Sequence, residues 1–402
     1  MSARNIGVVY RKELVDSLRD RRTVISMIAV PILLMPLLTI GLGVLAATVM
    51  GRAMKEAPTV MILGGEDSPR IVAALRALPD LHIVPGQADY ARQISDKQIR
   101  AAVEIPRDFD AAVDRGQTAN VRIYMYSGEL RSNFGAIRLQ KFFSDFRERT
   151  VRDRLQARGL APSLLEPFRI EEQNVATPQK VSGEIVGGLI PYFVIVLSLI
   201  GAMYPAMDLT AGEKERGTME TILCSPVSRT HLVLGKFLMV LTASLASALL
   251  AMVSIGATFQ AGRGLLESAA QLGQTTLPLE FKFSAMAAVF LMVIPLGVLF
   301  SAVLLTISLF AKSYKEAQSY LSPLTILIVL PSVISVLPGV ELNAGLSLIP
   351  VLNISLVSKE IVAGTYHWGY IALIFGSSCV YAAIALKAAI HLFQREDVLF
   401  RA

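Results

Sequence analysis

The chain has 402 residues, of which 53% are hydrophobic and only 17% are charged, and its 38 Lys and Arg against 32 Asp and Glu give a net charge of +6. A soluble globular chain usually carries about 25% charged residues, so this composition excludes most classes of water-soluble enzyme. Uncharged runs longer than about 18 residues instead predict an α-helical polytopic membrane protein.

Residues 1–22 are predicted to form a cytoplasmic amphipathic helix at the membrane interface. Ile6, Tyr10, Leu14 and Leu18 recur every four residues, and Arg and Lys occupy other positions. This pattern is typical of a helix that lies along the inner leaflet. A positively charged flank that only orients the first span is the alternative. The apolar run that follows is longer than the roughly 7 to 15 residues of a signal-peptide core, so we expect it to remain as a span.

Six uncharged runs are long enough to cross a bilayer as helices. At about 1.5 Å per residue, each can span a hydrocarbon core of about 30 Å. The predicted transmembrane helices cover residues 23–51, 185–207, 237–262, 283–311, 317–340 and 361–386, the last four within 237–386. A shorter run, 342–358, is interrupted by Ile349-Pro350 and is predicted to be re-entrant or interfacial.

The distribution of positive charge predicts that both termini are cytoplasmic. With six spans and the N-terminus inside, the inner segments carry 15 Lys and Arg, whereas the short outer loops carry three. Those inner segments are 1–22, 208–236, 312–316 and the tail 387–402. This asymmetry is the one that orients multi-pass proteins of the inner (plasma) membrane. A seventh span would place the positively charged tail outside, so six spans are favoured.

Residues 52–184 are predicted to form an extracytoplasmic α/β domain between the first two spans. The segment holds 20 Lys and Arg and 18 Asp and Glu, and it is long enough to bury a core of its own. Short apolar runs predict strands at 59–63, 81–84, 99–105 and 121–126. Intervening stretches predict helices at 70–78 and 108–115. A basic helix is predicted from Leu130 to Gly159, either with a solvated face or with a surface for anionic lipid or a partner.

The sequence shows no catalytic, cofactor or metal-binding signature. The metalloprotease, serine-hydrolase and P-loop motifs are absent, and the nearest approach to a P-loop, Gly235-Lys236, is flanked by Phe237 instead of Ser or Thr. We therefore expect no cofactor, no nucleic-acid partner and no ATP hydrolysis by the chain itself. The predicted spans contain no Asp, Glu, Lys or Arg, which disfavours an ion-coupled carrier.

Residues 208–236, between the second and third spans, form the most distinctive segment. A charged helix is predicted from Gly212 to Leu223, with an apolar ridge that includes Met219, and Ser225-Pro226 ends it. Such a helix can sit in a groove of a soluble partner and transmit a rigid-body motion. A plain solvated helical hairpin is the simpler alternative.

The string GEKERGTMETIL at 212–223, followed by Leu234-Gly235-Lys236, closely resembles the coupling-helix segment of type 2 ABC exporter permeases. The nearest likeness is to the sodium-export permease subfamily, which has the same long outer insert. The likeness extends to Arg11-Lys12-Glu13-Leu14 near the start of the chain and to 392–400 near its end. In such a permease the segment docks on a separate ABC ATPase subunit. The resemblance implies that the contacts come from Glu213, Lys214, Glu215, Arg216, Thr218, Met219, Glu220, Ile222 and Leu223.

The resemblance implies a permease subunit of an ATP-driven exporter that works in the lipid bilayer with two ATPase copies and a second permease, either identical or similar. Its substrates are expected to be ions or small amphiphilic, drug-like, peptide or lipid molecules. The alternative is a non-transporting membrane scaffold or sensor whose outer domain binds a ligand. A neighbouring ATPase reading frame favours the first hypothesis, and a co-purifying kinase or protease favours the second.

Overall fold

The computed structural model describes residues 2–41, 44–45, 48, 51, 56–161, 180, 183, 187–273, 282–337 and 340–395. The chain is mostly helical. It divides into two compact units. The first, called the helical unit, comprises Met1–Gly43 and Val175–Ala402, and the second, called the α/β unit, comprises Val44–Asn174.

The helices and strands follow one another along the chain in three blocks. The first block holds α1 (Ser2–Arg19), α2 (Arg21–Val24) and α3 (Val30–Pro36). The second holds β1 (Thr59–Gly64), α4 (Pro69–Arg76), β2 (His82–Val84), α5 (Tyr90–Ser95), β3 (Ala101–Ile105), α6 (Phe109–Asp114), β4 (Arg122–Met125) and α7 (Leu130–Ala157). The third holds α8 (Leu189–Met207), α9 (Glu213–Glu215), α10 (Thr218–Leu223), α11 (Arg229–Gly273), α12 (Phe283–Leu309), α13 (Tyr314–Ile334), α14 (Leu352–Val362) and α15 (Trp368–Gln394).

Five helices within the described residues are long and apolar enough to cross a membrane. They are α8 with its continuation to Glu215, the part of α11 up to Ala261, α12, α13 and α15. They coincide with five of the predicted spans, but all of them except α12 extend beyond the uncharged runs. In particular, α11 begins at Arg229 and contains Lys236. The predicted lack of ionisable residues therefore holds for the uncharged runs and not for the complete helices.

The first predicted span, 23–51, is a helix with two irregular turns as far as the structure describes it. A π-helical turn, Ile25–Ala29, precedes α3, and a second, Leu37–Gly41, follows it. Pro31 and Pro36 lack the N–H donor of a regular α-helical ladder, which favours such irregularity. Most of 42–51 lies outside the described residues, so a sixth span stays a prediction.

The predicted re-entrant or interfacial segment, 342–358, contains the start of α14. The 11 residues of α14 extend about 16 Å, roughly half of a hydrocarbon core, so it cannot span the membrane. It is buried among α8, α12, α13 and α15. Because α14 continues to Val362, the last long helix begins at Trp368 and not at the predicted residue 361. The choice between a re-entrant and an interfacial segment stays a prediction.

Small side chains let α8 and α11 approach each other closely in the helical unit. The Oγ atoms of Ser198 and Ser244 are 2.8 Å apart, and a Cβ atom at Gly201 would lie 1.9 Å from the Oγ of Ser247. The hydroxyl of Ser247 in turn donates to the carbonyl of Met27, at 3.0 Å. Membrane helices associate through such packing and hydrogen bonds, because lipid supplies no hydrophobic drive. Helix α11 thereby contacts both α8 and the first predicted span.

The α/β unit contains a four-stranded sheet of order β2-β1-β3-β4. Strands β2, β1 and β3 are parallel, and β4 is antiparallel to β3. The strands lie in the four apolar runs from which strands were predicted. Helix α4 leads to β2 on one side of β1, and α5 leads back to β3 on the other side. The chain therefore changes direction at the carboxyl edge between β1 and β3, a topological switch point.

Helix α7 closes one face of this sheet. Its buried Leu139 and Phe142 pack with Val60 and Val103 of the sheet and with Ile71 of α4. Apolar strands covered on both faces are typical of parallel sheets. The extracytoplasmic position of the α/β unit, predicted from the charge pattern, stays a prediction, and 162–179 lie outside the described residues.

The close contact at Gly201 predicts that a single added methyl group destabilises the helical unit. We expect Gly201→Ala to lower the thermal midpoint and the monodisperse yield, because overpacking a close contact costs about 1–3 kcal/mol. Gly376→Ala is the matched control, since nothing lies within 4 Å of a Cβ atom at this helical glycine. The measurement is thermal denaturation of both detergent-purified variants. Equal midpoints would contradict the close packing of α8 on α11.

Candidate functional site

Segment 208–223 forms two short helices at the end of α8. A π-helical turn, Asp208–Gly212, leads from α8 into α9, and Gly217 then separates α9 from α10. Gly217 has a left-handed backbone with φ +69°, a conformation that glycine adopts without the cost of a side chain. The prediction of one continuous helix from 212 to 223 is therefore wrong, because the chain turns at this glycine.

A buried ion pair holds this segment against α11. The ammonium group of Lys236 is fully buried and pairs with the carboxylate of Glu213, which is 5% exposed. Lys236 Nζ also donates to the carbonyl of Leu209, at 2.7 Å. Buried charges require such pairing, because desolvation of an unpaired charge costs several kcal/mol. Glu213, predicted as a contact for a partner, instead makes a contact within the chain.

The two residues after Glu213 connect the segment to two further helices. Lys214 Nζ donates to the carbonyl of Leu309, the last residue of α12, at 2.5 Å. The carboxylate of Glu215 accepts the backbone N–H of Tyr314, the first residue of α13, at 2.7 Å. A cation at a helix C-terminus and an anion at a helix N-terminus both interact favourably with the helix dipole. The segment therefore joins the end of α12 to the start of α13.

Arg216 forms an exposed ion pair across the π-helical turn. Its guanidinium lies 2.8 Å from Oδ1 of Asp208. A Cβ atom at Gly212 would lie 2.9 Å from the same carboxylate oxygen and 3.3 Å from the guanidinium, so glycine leaves room for this ion pair. The exposed position of Arg216 makes the pair weak, because solvent screens surface ion pairs. It orients Arg216 and contributes little to stability.

Helix α1 packs along the first turns of α11. The hydroxyls of Tyr10 and Thr242 are 3.2 Å apart, and a Cβ atom at Gly235 would lie 2.5 Å from Cγ1 of Val9. Glu13 lies on this buried face, 3% exposed, with its carboxylate 3.1 Å from Nζ of Lys12 on the same helix. The apolar periodicity of α1 gives no sign of this buried carboxylate.

An acidic cleft of about 490 Å³ separates α1 from segment 208–223. Five carboxylates line it, those of Glu13, Asp16, Asp20, Asp208 and Glu213. Two cations, Lys12 and Arg216, lie among them. Within the described part of the chain, no group of His, Cys, Asp or Glu side chains is arranged to hold a metal ion. The excess of carboxylates gives the cleft a negative potential that suits a basic protein surface.

The predicted partner-contact residues divide by their exposure. Glu215, Arg216, Thr218 and Glu220 are exposed, Lys214 and Ile222 are half-buried, and Glu213 and Met219 are buried. Leu223 ends α10, and its side chain lies outside the described residues. The exposed members fall within 215–220, directly beside the buried anchor Glu213. The segment therefore combines a fixed inner side with an exposed outer side.

Lys236 and Glu13 occur within motifs that carry the family resemblance but were not among the predicted site residues. Lys236 is the last charged residue before the third predicted span, and its position at the head of an apolar run was the available signal. Glu13 follows Tyr10 by three residues and precedes Ser17 by four, which places all three on one helical face. No local pattern identifies their partners, because each contact joins distant parts of the chain.

The chain matches the family described as ABC-2 family transporter protein over residues 21–391, and it belongs to that family. The family supplies the transmembrane component of ABC transporters, distinct from the ATPase. The chain is therefore a permease subunit and a multi-pass protein of the plasma membrane. It is 27% identical over 390 residues to the ABC transporter permease protein NatB of Bacillus subtilis (strain 168), across 96% of this chain and 97% of the relative. These matches confirm the resemblance to ABC exporter permeases that was stated from the sequence.

The buried pair predicts strong coupling between Lys236 and Glu213. We expect Lys236→Met and Glu213→Gln each to destabilise the protein by about 3–5 kcal/mol, because either change leaves one charge buried without its partner. The double variant should lose less free energy of unfolding than the two single variants lose in sum. A double-mutant cycle of thermal denaturation in detergent measures this coupling.

Glu220→Gln, in the exposed part of α10, is the control for that cycle and should change stability little. If the losses of stability caused by Lys236→Met and Glu213→Gln were additive, this result would contradict the ion pair.

Proposed function

We propose that this chain is the permease subunit of an ATP-driven exporter and that segment 208–223 receives the motion of a separate ABC ATPase. The observation that carries the proposal is the combination of an exposed stretch, 215–220, with the buried anchor Glu213–Lys236 immediately before it. A docking element must be accessible to its partner and rigid toward its own chain. This segment meets both requirements.

The contacts of the segment give the ATPase a route to the membrane helices. Glu213 and its neighbours bond to α11, Lys214 bonds to the end of α12, and Glu215 bonds to the start of α13. A displacement of α9 therefore acts on three long helices at once. Coupling requires such a contiguous physical connection between the moving element and the responding helices.

Glu220 is the best candidate for a direct contact with the ATPase. It is exposed on α10, and its side chain has no hydrogen-bond or ion-pair partner among the described residues. Glu215 and Arg216 are also exposed, but both already make bonds within the chain. The acidic cleft beside them adds a negative surface that would attract basic side chains of the ATPase.

The complete transporter, in this proposal, contains two ATPase copies and a second permease, identical or similar. Both termini face the cytoplasm and the α/β unit faces the outside, as the positive charges of the inner segments suggest. Substrate moves outward in this proposal, as the resemblance of segment 212–223 to exporter permeases implies.

An apolar cavity in the helical unit favours the hypothesis that the substrate is amphiphilic and not an inorganic ion. The cavity has a volume of about 310 Å³, and α8, α12 and α13 contribute to its walls. Its lining includes Leu199, Phe300, Leu304, Leu324, Ile328 and Pro331. Hard cations require oxygen ligands, which these side chains do not supply. The tail of an amphiphile or a drug-like apolar group would fit such walls.

Charge reversal at Glu220 tests docking without disturbing an internal bond. We expect Glu220→Lys to reduce co-purification of the ATPase severalfold and to reduce ATP turnover that depends on the permease, because repulsion replaces attraction at the interface. The measurement is the yield of ATPase recovered with the tagged permease, and its ATP hydrolysis, for each variant. Asp153→Lys, an exposed reversal in α7, is the matched control.

Wild-type yield and turnover for Glu220→Lys would contradict the docking role of α10. Failure of the wild-type chain to recover any ATPase would favour the scaffold or sensor hypothesis. The permease alone should hydrolyse no ATP above background, and activity should appear only after the ATPase subunit is added.

Thiol labelling tests the proposed orientation. In a background without Cys224 and Cys379, single cysteines at Ser2, Ser313 and Ala402 should resist an impermeant reagent in intact cells, whereas one at Ser127 should react. The basis is the excess of Lys and Arg in the inner segments. Labelling at Ala402 from outside would require an odd number of spans and would overturn the orientation.

A further inference from the structure

A second concave site lies at the carboxyl edge of the sheet in the α/β unit. The crevice has a volume of about 750 Å³ and lies at the topological switch point, where the loops after β1 and β3 diverge. Open α/β sheets bind ligands outside the carboxyl ends of their strands at this position. Its volume falls within the range of small-molecule sites, about 300–1,000 Å³.

Three glycines keep the base of the crevice free of side chains. Gly64, the last residue of β1, and Gly65, which follows it, have left-handed backbones with φ +73° and +79°. A Cβ atom at Gly64 would lie 2.6 Å from the carbonyl oxygen of Ile105, and one at Gly86 would lie 2.6 Å from that of Ile62. Glycine is needed where a backbone must approach this closely. Gly64 and Gly86 are exposed, so the loops after β1 and β2 contribute main chain without side chains to the crevice lining.

One wall of the crevice is a hydrogen-bonded polar network on β3 and β4. The hydroxyl of Tyr124 donates to Oε2 of Glu104 at 2.7 Å, and Nη1 of Arg122 lies 3.4 Å from the same oxygen. The hydrogen bond from Tyr124, together with Arg122, lowers the pKa of Glu104. The ring of Tyr90 lies 4.9 Å from that of Tyr124, so two aromatic rings border the crevice.

Two exposed arginines at the rim give the crevice an excess of positive charge. Arg76 ends α4 and Arg107 follows β3, and both are exposed. Among the described residues, neither has an ion-pair partner. With Arg122 they outnumber the two carboxylates of the lining, those of Glu66 and Glu104. An arginine guanidinium presents a planar fork of donors that matches a carboxylate or a phosphate.

We propose that this crevice binds a small organic anion, a carboxylate or phosphate monoester with a flat apolar part. The anionic group lies between Arg76 and Arg107, and the apolar part lies against Tyr90 and Tyr124. The site is independent of the docking of an ATPase, because every residue in it belongs to the α/β unit. The α/β unit is thus a ligand-binding module of the permease.

Binding of simple probes to the purified full-length chain tests this site. Phenyl phosphate and benzoate are titrated in a non-ionic detergent, with saturation-transfer NMR of their ring protons as the readout and inorganic phosphate as competitor. We expect both probes to bind at millimolar concentration or below. Arg107→Gln should weaken binding at least about fivefold, and the double variant with Arg76→Gln should weaken it further, because each loses a charge-assisted hydrogen bond.

Arg158→Gln is the matched control, an exposed arginine just after α7 that does not line the crevice. It should bind the probes as the wild type does, and all variants should share one thermal midpoint because each changed residue is exposed. The proposal would be overturned if one of the two probes did not bind. It would also be overturned if the Arg107→Gln and Arg158→Gln variants bound the probes with equal affinity. Failure of inorganic phosphate to compete with phenyl phosphate would also overturn it.

Discussion

The pairing of Lys236 with Glu213 is the constraint around which the candidate site is arranged. An ammonium group without solvent exposure needs a compensating carboxylate and hydrogen-bond acceptors, and Glu213 and the carbonyl of Leu209 provide them. These partners sit on the chain that continues from α8. The pairing of Lys236 therefore holds the start of segment 208–223 against α11.

Helix termini determine the rest of the geometry. The carbonyl at the end of α12 and the N–H at the start of α13 would each lack an intrahelical partner, and Lys214 and Glu215 satisfy them. Consecutive residues of α9 thus bond to three different helices. The left-handed turn at Gly217 then separates α9 from α10. Rigidity on one side and accessibility on the other follow from a few adjacent residues.

The two units are stabilised by different physical effects. In the helical unit, serine and glycine residues on α8 and α11 allow close backbone approach, and their hydroxyls bond across the helices. In the α/β unit, an apolar core of strands and helices buries Val60, Val103 and Leu139. The first arrangement depends on close contact between backbones, and the second depends on buried apolar side chains.

The sequence by itself determined the elements whose signal is local. Uncharged runs located five long helices, apolar runs located four strands, and the string at 212–223 identified the family. Tertiary structure alone decided that Glu213 is buried while Glu220 is exposed, that Glu13 lies within a helix contact, and that α14 is enclosed by longer helices. The physical reason is separation along the chain. Glu213 and Lys236 are 23 residues apart, and Tyr10 and Thr242, whose hydroxyls are in contact, are 232 residues apart. Periodicity and charge report the preference of each segment for water or lipid, whereas the partner of a buried charge depends on which segments fold together.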